Sequence, residues 1–100
     1  MLKSEIELNK LEEKYPYIET TVLEIIRNKY KSISKILDSK WIIILPYNDD
    51  YDFKVKYTDS EEEAKNITIT SYNEGDVIHK VYYKQKPIDF AIEVKVYFDI

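Results

Sequence analysis

The hydrophobic period of this chain changes once, at residue 41, and that change restricts it to folds that join helices to a sheet. Before it, Val22, Ile25, Ile26, Lys29, Tyr30, Ile33, Ile36 and Leu37 recur at helical spacing, and all but Lys29 are apolar. Such a stripe predicts an amphipathic helix over about residues 17–38. Its later turns carry Lys29, Lys31, Lys35 and Lys40, the sign favoured by a helix C-terminus. Ahead of it, Ser4 and Glu7 form a capping-box pattern that predicts a short helix over about residues 5–14, and Pro16 separates the two.

After residue 41 the period is two. Trp41-Ile42-Ile43-Ile44-Leu45 is short, β-branched and apolar throughout, which predicts a strand covered on both faces. Residues 46–50 read as a turn. Phe53, Val55 and Tyr57 then alternate with Lys54, Lys56 and Thr58. Ser60 and Glu63 make a second capping box, on a helical turn rich in acids. Ile67 and Ile69 alternate with Thr68 and Thr70, which predicts a third strand. Asn73-Glu74-Gly75 predicts a tight hairpin, with the single glycine supplying positive φ. Residues 77–84 return as a strand, Pro87 is expected to break pairing, and residues 90–98 alternate again.

The chain is therefore expected to be α+β. Two N-terminal helices, one short and one long, pack on a four- to five-stranded antiparallel β-meander in two layers. At 100 residues it is expected to form a single domain, 1–100, with a helical part over about 4–39 and a sheet part over about 41–99.

Composition narrows the chemistry. There is no cysteine, one histidine and one glycine. That removes disulfides, thiol nucleophiles, multi-histidine metal sites and glycine-rich phosphate loops. No catalytic residue, metal site or cofactor is assigned. The chain carries a net charge of −4, and residues 47–63 hold seven acids against two lysines. Nucleic acid is therefore disfavoured as a partner, although such an acidic stretch fits either a DNA-mimicking surface or a plain acidic edge. Asp49, Asp50 and Asp52 lack the spacing of a calcium loop and read as solvated turn carboxylates. The charged N-terminus and the absence of a long apolar run predict an intracellular, cytoplasmic protein with no membrane partner. Richness in Lys and Glu with little Gln suits a thermophile, and an AT-rich viral or mobile-element genome would leave a similar mark.

Ten tyrosines are the unusual feature. If the strands alternate as read, Lys54, Lys56, Tyr72, Lys80, Tyr82, Lys95 and Tyr97 share the outer face of the sheet. Tyrosine joins apolar area to a polar tip and is favoured at interfaces. These seven residues are the expected partner-binding set. The function expected is a small non-enzymatic binding or regulatory protein, acting on a protein partner or by self-association as a homodimer. One alternative is a nucleic-acid-binding module using the same Lys/Tyr face. A second alternative is an enzyme or small-ligand binder with a helix–sheet cavity around His79. The other account of His79 is a half-buried histidine hydrogen-bonded to Tyr57 or a backbone carbonyl.

Overall fold

The computed structural model describes the backbone of residues 3–47 and 49–100 and the side chains of residues 8–46 and 53–100. The α+β class and the five-stranded antiparallel sheet are as expected. In chain order the elements are α1 (Lys3–Lys14), α2 (Thr20–Lys29), α3 (Ile33–Leu37), β1 (Trp41–Tyr47), β2 (Asp49–Thr58), α4 (Glu61–Asn73), β3 (Lys80–Tyr83), β4 (Lys86–Ile92) and β5 (Val96–Asp99). The strand order is β2-β1-β3-β4-β5, so the chain crosses over from β2 to β3 through α4 where an uninterrupted meander was expected. No helix among the described residues is long and apolar enough to cross a membrane. The Ser4–Glu7 capping box lies outside the residues whose side chains are described, as do the side chains of Asp49, Asp50 and Asp52, whose backbone belongs to β2 where a turn over residues 46–50 was expected.

β1 is the hub. It pairs with β2 from Trp41↔Thr58 to Pro46↔Phe53, and with β3 from Trp41↔Tyr83 to Ile44↔Lys80. Its side chains alternate between two cores. Ile42 and Ile44 pack with Val22, Leu23, Ile26, Ile36 and Leu37 of the first three helices. Trp41, Ile43 and Leu45 pack on the other face with Ala64 of α4 and Val81 of β3. The expected covering of this strand on both faces is what forms. It takes helices on both sides, so the molecule has three layers here where two were expected. Each fully buried Val, Leu or Ile contributes about 1.5–3 kcal/mol, so the five-residue run alone strongly selects this arrangement.

The expected long helix is two helices. Tyr30 leaves α2 in an extended conformation, φ −117° and ψ 143°. Its hydroxyl then accepts the Val55 N–H at 3.0 Å, on the outer side of β2. The apolar stripe still reaches one core, because α3 turns Ile33, Ile36 and Leu37 back onto it. Beside it, the Tyr15 hydroxyl donates to Asp38 at 2.6 Å and ties the end of α1 to the end of α3.

The segment 61–73, expected to hold a strand, is helix α4. Ser60 caps it, accepting the Glu63 N–H at 3.2 Å, while Glu61, Glu62 and Glu63 sit in the first turn. Glu63 does not reach back to Ser60. Instead the Thr58 hydroxyl accepts the Ser60 N–H and donates to Glu63. The buried side of α4 is Ala64, Thr68 and Ser71, all small, and the Thr68 hydroxyl donates to the Ala64 carbonyl at 2.8 Å. Gly75 has positive φ, +92°, as expected, but it ends this helix and makes no hairpin. Its N–H bonds Tyr72 O and the Asp76 N–H bonds Ser71 O, the paired bonds of a Schellman ending.

The hairpin that does form here joins β3 to β4 through Lys84 and Gln85, both at positive φ (49° and 64°). The Gln85 amide donates to the carbonyls of Leu37 and Ser39 at 3.0 and 3.2 Å, satisfying acceptors at the end of α3. Pro87 pairs with Tyr82 rather than breaking the sheet. Its position falls in the pair that makes no direct bond to β3, and β5 pairs with β4 only from Asp89 onward, so no N–H is missed. The expected 90–98 strand is divided at residues 93–95 into β4 and β5, which pair as Phe90↔Phe98 and Ile92↔Val96.

Candidate interaction surface

The seven residues expected on one outer face are distributed over three places. Tyr82 is in the core, fully buried, and its hydroxyl accepts the Glu19 N–H at 3.2 Å. The reason is register: no hairpin at 73–75 sets the phase of β3, and the Lys84–Gln85 turn aims Val81 at one core and Tyr82 at the other. Lys80 shares the Tyr82 side of β3, and its ammonium lies 2.6 Å from Glu19 Oε1. Lys54 and Lys56 border a groove of about 560 Å³ between β2 and α4, opposite Glu63, Glu74 and Asp76. Tyr72, Lys95 and Tyr97 stay exposed around α4 and the β4–β5 hairpin, and Lys54 stays exposed on β2. The shared Lys/Tyr face on which a nucleic-acid reading rested is not formed.

Glu19 is the residue that sequence reasoning missed. It ends the chain segment before α2 and meets two residues from the approach to β3, about sixty positions away. Besides Lys80, His79 Nε2 lies 3.3 Å from the same carboxylate oxygen. The His79 ring stacks on Phe53, with centroids 4.6 Å apart and planes 23° apart. Its partners are thus Glu19 and Phe53, where Tyr57 or a carbonyl was expected. The hydrogen bond from Lys80 holds the Glu19 carboxyl below its ordinary range, against a smaller opposing effect of burial. The same bond pushes the Lys80 ammonium up, again opposed by burial. Burial pushes the Tyr82 hydroxyl up. These contacts make a brace between the start of α2 and the start of β3. None of the grooves of about 560, 550 and 310 Å³ is lined by His79.

The two ends of the sheet differ. At the β2 edge, the outward Val55 N–H is occupied by Tyr30. At the β5 edge, no further strand pairs among the described residues. β4 and β5 are covered by α4 on one face only. On the other, Pro87, Asp89, Ala91, Tyr97 and Asp99 are all exposed. Among the described residues, the large hydrophobics left exposed are Tyr17, Tyr72, Val77, Val94, Tyr97 and Ile100. Tyr17 has the Lys86 ammonium 5.2 Å over its ring. The other five surround the β4–β5 hairpin. Val94 is 91% exposed at its tip, and Tyr72 and Val77 border a groove of about 310 Å³ floored by Phe90 and Ile92.

No protein-family model, curated protein or solved structure matches this chain.

Proposed function

We propose that this chain is a small non-enzymatic binding protein that engages a protein surface through its β4–β5 end. The observation that carries this reading is the gathering of Tyr72, Val77, Val94, Tyr97 and Ile100 around one hairpin with an unpaired outer edge. A molecule that can cover Trp41 and Tyr82 completely has the means to bury such residues, and it leaves this group in water. An unpaired strand edge beside exposed aromatic and aliphatic groups offers main-chain hydrogen bonds and apolar contact together.

The test is capture from lysate of the source organism by immobilised wild-type chain and by a Val94→Glu/Tyr97→Glu variant, with nuclease present. Both substituted positions are exposed, so the fold is expected to survive, and circular dichroism checks that it does. The expected outcome is a protein, or untagged copies of the chain itself, held by the wild type and released by the variant. Retention that the variant leaves unchanged, or that vanishes with nuclease, would overturn the reading.

A further inference from the structure

The outer edge of β5 is complementary to itself. We propose that the surface engaged at the β4–β5 end is a second copy of this chain, with the two β5 strands paired antiparallel about a twofold axis through Tyr97. This inference rests on the reading above and adds the partner and the register.

The argument begins with symmetry. Two identical edge strands that pair antiparallel are related by a twofold axis perpendicular to the sheet, which keeps each face continuous with its counterpart. Residues directly opposite one another must then point to the same side, so the axis must pass through a residue. Four registers can be centred within β5. Centred on Asp99, that residue faces Asp99 of the second copy, a like-charge pair. Centred on Val96, Asp99 faces Glu93 of the second copy, a like-charge pair. Centred on Phe98, Asp99 faces Tyr97, and no charged residue of β5 meets an opposite charge. Centred on Tyr97, Lys95 faces Asp99, Val96 faces Phe98, Tyr97 faces Tyr97, and the exposed Val94 faces the exposed Ile100. Only this register sets opposite charges against each other and apolar groups against apolar groups.

A second observation points the same way. Within one molecule, β4 and β5 place Asp89 directly opposite Asp99, two acids on the face that no helix covers. Like charges in direct cross-strand positions are unfavourable. Lys95 of the second copy, opposite Asp99, supplies the missing cation. At the other sheet edge, Tyr30 already occupies the Val55 N–H. The product is a ten-stranded sheet with Tyr97 and Asp99 on its open face and Lys95, in the hairpin bend, meeting Asp99 of the second copy at the seam. The layer under α4 continues through Val96 and Phe98.

The first experiment is sedimentation equilibrium over a wide concentration range for the wild type, Lys95→Glu, Asp99→Lys and the Lys95→Glu/Asp99→Lys double variant. Each single reversal sets like charges opposite each other twice per dimer, and is expected to weaken association at least about tenfold. The double reversal restores the pairing and recovers most of it. Asp99→Lys also removes the repulsion with Asp89, so it holds its fold while losing its partner, which separates dimer loss from unfolding. The second experiment fixes the register. The chain has no cysteine, so Tyr97→Cys places one thiol on the axis, at a cross-strand distance that suits a disulfide. Mild oxidation is expected to yield a covalent dimer, and Asp89→Cys, one strand inward, is expected to yield none. A wild-type chain that stays monomeric to ~1 mM would overturn this inference. So would equal cross-linking at both positions, or single reversals that leave association unchanged. A monomer whose lysate partner is still lost in Val94→Glu/Tyr97→Glu would overturn only the second copy and leave the binding role standing.

Discussion

The β2–β1–β3 part of the sheet and the β4–β5 part are built from strands of one sheet, yet they are finished differently. In the first, α1, α2 and α3 cover one face and α4 covers the other, so Ile42, Ile43 and Ile44 have no accessible surface worth counting. In the second, α4 covers one face and the other is open, with Ala91 and Tyr97 exposed across from each other. The first half has the composition of a core. The second keeps the alternation of a strand with one wet face, and it ends in an edge that no other described strand pairs with. Most of the buried core lies in the first half, and most of the exposed large hydrophobic side chains among the described residues lie around the second.

Substitution can break this division, and the largest effect is expected at Trp41. Its ring packs 4.4 Å from Tyr83 and 4.6 Å from Phe98, at the junction of the two halves. Trp41→Ala is expected to cost about 3–5 kcal/mol, measured by denaturant unfolding. A loss under about 1 kcal/mol would mean that the second core is not the anchor of the sheet. Next is Gly75→Ala. Nothing lies within 4 Å of the added Cβ, so the cost is that of the backbone at φ +92°, about 1–2 kcal/mol.

The brace at Glu19 is a smaller and pH-dependent effect. The folded carboxyl is held below its ordinary value of 4.5. Its stabilisation is therefore present above that value and lost as pH falls through the depressed one. Glu19→Gln is expected to cost about 0.2–1 kcal/mol at pH 7, since the pair is partly exposed, and almost nothing in strong acid. Parallel melts of the two proteins from pH 7 down to pH 2 would show the gap closing. The smallest effect is expected at Tyr97. Tyr97→Ser should leave the unfolding free energy of the monomer within about 0.5 kcal/mol. A large loss there would show that the open face is structural after all, and the contrast between the halves would fail.

Much of the first half was legible. The apolar run 41–45 demanded cover on both faces, although the two-layer expectation supplied a helix layer for only one of them. The stripe from Val22 to Leu37 was read correctly as facing one core, although Tyr30 divides it. Its break has no proline or glycine to announce it, because the reason for it is the Val55 N–H on another strand. The error at α4 has a local cause. Ile67-Thr68-Ile69-Thr70 has strand propensity, and strand propensities differ by only about 1 kcal/mol in all. Ser60 at one end and Gly75 at the other mark a helix, and the face between them is small and polar enough to hide its period. A strand at 67–70 implies a hairpin at 73–75, and that hairpin, which does not form, gives β3 the opposite phase. Tyr82 was placed outside in consequence.

What the sequence alone determined is the α+β class, the place of β1 with its double covering, the alternation of β2 and the capping of α4 by Ser60. All of these are written within a few residues of where they act, in hydrophobic period and in the satisfaction of helix ends. The tertiary structure alone decided the three layers, the Lys84–Gln85 turn, the burial of Tyr82, the meeting of Glu19 with His79 and Lys80, and the open edge of β5. Each of these depends on which distant surface is available to cover a face or accept a hydrogen bond. Gln85 holds its left-handed backbone because Leu37 and Ser39, more than forty residues earlier, present carbonyls to it.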